Sequence, residues 1–204
     1  MRLSKVFSFA LVAVTAIAVI GASSAAAEPT ALCKKHENPC EAANIYVGHF
    51  DAVAANPVFL TSLTNITCKK AHLLGFALGL ASPLTIHLEA FSFAEDCLTT
   101  AGDECVVNSI ELGLALLLRT GSNLGSLELH DTKVLVSCPE SFIHCVYGGL
   151  PVFHVIGSPN KEALASIHAN EVPLEHGEGF FCPEETKLDA LYKVVLPDPI
   201  VISS

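Results

Sequence analysis

The chain has 204 residues, 51% hydrophobic and 16% charged, and its 11 Lys and Arg stand against 21 Asp and Glu for a formal charge of −10. That length suits one domain, and the apolar fraction excludes a disordered chain. The anionic balance argues against nucleic-acid binding, which needs a cationic face toward phosphate.

Arg2 and Lys5 precede an apolar stretch over residues 6–22, and Ala25-Ala26-Ala27 closes it. A cationic start, an apolar centre and a small-residue end are the parts of a secretory signal peptide, so residues 1–27 read as a cleaved leader. An uncleaved anchor fits less well, because the stretch falls short of the ~20 residues that span a bilayer. Removing 27 of 204 residues leaves 177, with 9 basic and 21 acidic side chains and a formal charge of −12. The later apolar run, 73–86, contains Pro83 and lies between His72 and His87, so no membrane span is expected after cleavage. Residues 28–204 are expected to form one soluble domain, secreted or at the cell-envelope exterior.

Residues 28–44 are polar, contain Pro29 and Pro39, and read as an N-terminal arm. Short β-rich runs follow at 45–53, 58–63, 66–70, 73–80, 84–93, 105–120, 126–130, 133–138, 143–147, 152–156, 163–169 and 188–196, separated by Gly, Asn, Pro or acidic clusters. Ile110, Leu112, Leu114, Leu116 and Leu118 alternate with Glu111, Gly113, Ala115 and Arg119, the period of two of a half-buried strand. Leu84, Ile86, Leu88 and Ala90 repeat the pattern. Helical alternatives are confined to 161–168 and 184–192. The expected fold is all-β, an antiparallel sandwich or barrel stapled by disulfides, with at most one or two short helices. The immunoglobulin variant is weakened because no Trp exists to pack on a central disulfide.

Eight cysteines, Cys33, Cys40, Cys68, Cys97, Cys105, Cys138, Cys145 and Cys182, all follow the leader. An even number in an exported chain reads as a disulfide framework. Short loops close most easily, which pairs Cys33 with Cys40, Cys97 with Cys105 and Cys138 with Cys145, and leaves Cys68 for Cys182. Zinc is disfavoured despite His36 and His144 beside cysteines, since no C-x-x-C spacing occurs and exported thiols oxidise first.

A resemblance rests on Leu32-Cys33 with Cys40 and Asn44, on Ser62-Leu63-Thr64-Asn65-Ile66-Thr67-Cys68, and on the paired cysteines in the middle of the chain. It continues through Val172-Pro173-Leu174, Phe181-Cys182-Pro183, Asp189-Ala190-x-Tyr192 and Pro197-x-Pro199. In these landmarks, which span nearly the whole mature chain, the sequence resembles a group of uncharacterised exported proteins of high-GC Gram-positive (actinobacterial) bacteria. The resemblance implies an exported, all-β, disulfide-bonded protein and brings no activity and no catalytic residues. The chain departs from that pattern over 73–80, where more Gly, Thr and Lys would be expected.

A Cys97–Cys105 bridge would bring Glu95, Asp96, Asp103 and Glu104 together, and four carboxylates are hard oxygen ligands suited to Ca²⁺. The same residues also describe a solvated acidic hairpin tip, and no D-x-D-x-D-G loop accompanies them. Ser141, His144 and Asp131 could be drawn as a triad, but no G-x-S-x-G elbow supports it. Ser158-Pro159-Asn160-Lys161 spells S-x-x-K without the companion motifs of serine acyltransferases. Glu175-His176-Gly177-Glu178-Gly179, next to Phe180-Phe181-Cys182, reads as a mobile binding loop or as a Gly-rich turn delivering a buried Phe and a disulfide. Asn65-Ile66-Thr67 is a glycosylation sequon, read as a chance match in a bacterial export context.

No cofactor motif and no catalytic set emerges. The expected function is that of an exported, non-enzymatic envelope or extracellular protein whose surface contacts a protein, a glycan or the cell wall. The alternatives are an extracellular carrier of an apolar ligand inside a β-barrel and a hydrolase with an unrecognised site. The first expects a filled core, the second an enclosed cavity of roughly several hundred Å³, the third a cleft of clustered His and carboxylates.

Overall fold

The computed structural model describes residues 29–94, 96–148, 152–157, 166–170, 172–176, 181–197 and 200–204. The expected leader 1–27, Glu95, Ser158–Lys161 and the 177–180 stretch lie outside these. The strands are β1 (Thr30–Cys33), β2 (Gly48–Ala55), β3 (Val58–Thr61), β4 (Asn65–Thr67), β5 (Lys70–Ala77), β6 (Leu80–Ala81) and β7 (Leu84–Phe93). Next come β8 (Cys97–Thr99), β9 (Glu104–Glu111), β10 (Leu114–Gly121), β11 (Leu124–His130), β12 (Lys133–Cys138) and β13 (Ile143–Tyr147). The last are β14 (Val152–Ile156), β15 (Ser166–Asn170), β16 (Val172–His176), β17 (Glu185–Asp189), β18 (Tyr192–Leu196) and β19 (Val201–Ser203). Helical structure among the described residues is limited to single 3₁₀ turns at Ala42–Asn44 and Pro139–Ser141. The fold is all-β and antiparallel, held by four disulfides.

The large sheet curls in two parts. One runs β15–β14–β11–β10–β7–β5–β2–β18, with β15 approaching β18 across the curl. Its wall turns Ala52, Ala54, Ala71, Ala77 and Ala115 inward, all fully buried, beside Phe50, Leu73, Leu117, Leu129 and Phe153. A tightly curled wall leaves space for few large side chains, which is why alanine recurs on its inner face. Gly125 belongs to the same set, because a Cβ there would lie 2.9 Å from the Leu118 carbonyl oxygen. The short sheet β6–β1–β19 contributes Leu32 and Ile202 to this interior. Residues 28–44 therefore do more than form an arm: Thr30–Cys33 is buried along its whole length.

In the second part, the order β12–β13–β16–β17–β3–β4–β8–β9 returns on itself because β9 also pairs with β12. Phe59, Ile66, Val107, Val136, Tyr147 and Leu188 fill this ring. The two parts meet where Ser92 of β7 opposes Asn108 of β9.

The expected strand 105–120 is two strands belonging to different parts of the sheet. The chain breaks at Leu112-Gly113, where a Cβ on residue 113 would lie 1.8 Å from the His130 carbonyl oxygen. Its apolar alternation also points the other way. Ala115 and Leu117 are buried, while Ile110, Leu112 and Leu114 are exposed and Leu116 and Leu118 half-buried on the outer face. The 84–90 alternation holds for Leu84 and Ile86. A register shift then places Leu74 opposite Ala90 and Gly75 opposite Leu88, so Glu89 is the extra residue of a bulge that turns Phe91 and Phe93 inward. Of the helical alternatives, residues 166–168 lie in strand β15 and 185–189 form strand β17.

The disulfides are Cys33–Cys40, Cys68–Cys97, Cys105–Cys138 and Cys145–Cys182. Only the first matches the pairing expected from short loops; 97–105, 138–145 and 68–182 are replaced. Loop entropy describes the unfolded chain, whereas the folded ring brings Cys97 of β8 beside Cys68 after β4, Cys105 of β9 beside Cys138 of β12, and Cys145 of β13 beside Cys182 ahead of β17. The three long bridges join cysteines 29, 33 and 37 residues apart. In the chain-entropy model each constrains the unfolded state by about 4 kcal/mol, against about 2 for the bridge at separation 7.

Candidate functional site

The β8–β9 hairpin is part of the ring, between β4 and β12, and is clamped on both flanks. Cys97 is tied to Cys68 beyond the end of β4, and Cys105 to Cys138 at the end of β12. Gly102 supplies the turn at φ +97°, and the Gly102 amide donates to the Thr99 carbonyl at 3.0 Å. The Asp103 amide donates to Thr99 Oγ1 at 3.0 Å. The hairpin tip is also stitched to the β3–β4 turn: the Asn65 amide donates to Thr100 Oγ1, and Thr100 Oγ1 donates to the Asn65 carbonyl, both at 3.3 Å. Threonine hydroxyls hold these tips because they reach backbone groups one strand away.

Three open grooves meet at this hairpin. One of about 590 Å³ runs between β3–β4 and β8, lined by Asn56, Leu60, Asn65, Lys69 and Thr100 among others. One of about 810 Å³ lies on the opposite flank, over Leu98, Glu104, Val106 and Glu140. A third of about 490 Å³ lies at the tip, among Leu63, Thr99, Asp103, Ser141, Ile143 and Phe181.

Leu63 at 58% and Phe181 at 49% stand exposed in the tip groove, and Phe142, 75% exposed, follows Ser141 and precedes Ile143 of its lining in the chain. Phe142 occupies the left-handed region (φ 55°, ψ 25°) at the end of the Pro139–Ser141 turn. A bulky side chain there costs about 1–2 kcal/mol of backbone strain, which Gly or Asn would relieve. Burial offsets none of that cost.

The proposed calcium ligands are divided between two places. Asp96 forms an ion pair with Lys69, and both it and Glu104 line the 810 Å³ groove. Asp103 lies at the tip and accepts a hydrogen bond from the Ser141 hydroxyl. Among the described residues no three His, Cys, Asp or Glu side chains converge as a metal site would require. The triad candidates are likewise apart. Ser141 is engaged by Asp103, His144 Nδ1 is 3.4 Å from Ser137 Oγ, and Asp131 lies beyond the far end of β12, roughly 20 Å of strand away. The sequon residues Asn65 and Thr67 both face solvent on β4.

The exposed apolar tips were not legible in advance. Leu63 falls inside the expected strand 58–63, but β3 ends at Thr61 and Leu63 stands exposed in the turn that follows it. The usable signal was an apolar residue inside a turn-forming run, Ser62-Leu63-Thr64 and Pro139-Glu140-Ser141-Phe142.

The interior differs in kind. An apolar void bounded by Leu32, Phe50, Leu117, Leu127, Val194 and Ile202 measures about 40 Å³. Tyr192 is fully buried, and among the described residues its hydroxyl has no hydrogen-bond partner. Burial raises its pKa, and raises that of Tyr147 to about 12.

No family model matches the sequence, and no curated protein and no solved structure is detectably similar to it.

Proposed function

We propose that this is an exported, non-enzymatic binding protein of the cell envelope or extracellular space, which engages a protein or glycan through the open end of the ring around the β8–β9 hairpin. The observation that carries this reading is the contrast between interior and surface. A void of about 40 Å³ holds little more than a water molecule. Ligand pockets span roughly 300–1,000 Å³, and a pocket well below that range favours surface binding over an enclosed carrier site. The surface, by contrast, offers three grooves around one disulfide-clamped hairpin, with Leu63 and Phe181 exposed in the tip groove and Phe142 exposed between Ser141 and Ile143 of its lining. Exposed aromatic side chains beside hydroxyls and a carboxylate suit the apolar faces and hydroxyl rims of glycans or an extended peptide. The four disulfides fit an oxidising destination.

The test is sedimentation of the labelled protein with cell walls isolated from the producing organism, comparing wild type with Leu63→Ser and Phe142→Ser. Each exchange is expected to weaken retention roughly tenfold while leaving the fold intact. Retention unchanged in both variants would remove the tip groove from the account.

A further inference from the structure

On the outer face of the first part of the sheet, His49, Phe76, His87, Leu114 and His130 stand in register across β2, β5, β7, β10 and β11. His49 meets Phe76 edge-on, with ring centroids 4.9 Å apart. Two more histidines share the face, His72 on β5 and His154 on β14, the latter opposite Ser126. Three carboxylates lie among them: Glu89 is 2.9 Å from His49 Nδ1, Asp51 is 3.6 Å from His72 Nδ1, and Glu128 is 3.7 Å from His130 Nε2. The face's lysines are Lys70 and Lys193. Asp131 and the Glu111–Lys133 ion pair lie at its margin.

With neutral imidazoles, two lysines and three carboxylates leave this face with one formal negative charge. Protonation of these five histidines of the described residues turns that into four positive charges, and His168 of β15 is the register partner of His154. Leu74, Phe76, Leu116 and Leu118 are half-buried at the same level and Leu114 is exposed. The face thus interleaves acid-induced positive charge with apolar side chains. A soluble polyanion would use only the first, whereas a bilayer surface offers phosphate charge directly above acyl chains.

We propose that this face docks on anionic lipid bilayers in an acid-dependent way. It is separate from the hairpin grooves, and its test does not depend on them. Below about pH 6 the protein binds vesicles of phosphatidylglycerol in phosphatidylcholine, and above about pH 7 it releases them.

The experiment is co-sedimentation of the full mature chain with such vesicles, and with pure phosphatidylcholine, at about pH 5.5 and 7.5. The expected result is partition at least roughly tenfold stronger at the acid pH, on the anionic vesicles alone. The combined exchange His49→Gln, His87→Gln and His130→Gln is expected to abolish most of that gain, and His87→Gln alone to reduce it. His144→Gln, on β13 of the ring, should retain it. Circular dichroism of each variant verifies the fold. Absence of acid-dependent partition, equal partition at both pH values, or an unaffected triple variant would overturn the proposal. So would capture by soluble dextran sulfate at acid pH without vesicle binding.

Discussion

Cys97 and Cys105 face each other across the β8–β9 hairpin, yet each bonds away from the other, to Cys68 and to Cys138. The hairpin is therefore fastened to both neighbouring strands rather than pinched shut. That arrangement presents its tip, and the grooves beside it, from a rigid base.

The outward pairing has a direct chemical signature. A Cys68→Ser, Cys97→Ser double variant removes one native bridge and should contain no free thiol. The short-loop pairing would instead release Cys105 and Cys182, and thiol titration of the unfolded variant separates the two. The same variant is expected to lose about 4 kcal/mol of stability, against about 2 for Cys33→Ser, Cys40→Ser, measured by denaturant unfolding.

The inward and outward faces of β10 give a second test. Leu117→Ala empties a buried site and should cost about 2–5 kcal/mol, whereas Leu114→Ala, 41% exposed, should change stability by no more than about 0.5. Equal losses would contradict the phase of this strand.

That phase shows how far the sequence could be read. The alternation of Leu114, Leu116 and Leu118 announced a strand correctly but not its inner face. An apolar side chain is not bound to be buried, and a curled wall selects small residues inward, here Ala115 between two leucines. The acidic run around Gly102 was recognisable as a hairpin from its turn chemistry. Its disulfide partners were not, because they lie on strands that only the closed ring makes adjacent. Phe142 escaped notice for another reason: nothing local distinguishes an exposed aromatic at a turn from the start of the next strand.

Glycines report backbone geometry independently. Gly113→Ala would drive a Cβ to within 1.8 Å of the His130 carbonyl oxygen and should cost roughly 3 kcal/mol or more. Gly102→Ala meets nothing within 4 Å and should cost only the strain of φ +97°, about 1–2 kcal/mol. Thermal unfolding of the two variants checks the order.

Tyrosine ionisation sets the alkaline limit. With folded pKa values raised by burial at Tyr147 and Tyr192, the unfolded chain loses its phenolic protons first. Stability contributed by these groups is complete below about pH 10 and falls as the pH rises toward 12. Tyr192→Phe removes a buried hydroxyl without a partner among the described residues, and should be neutral or stabilising by about 1 kcal/mol while flattening that alkaline decline. A loss of several kcal/mol would mean the hydroxyl is satisfied.

The most direct measurement is native mass spectrometry of the protein purified from its producing organism. A filled interior and a surface-borne function require the mass of the chain less the eight hydrogens lost in four disulfides, with nothing else retained. A stoichiometric apolar molecule carried through purification would contradict the account and return the interior to the centre of the function.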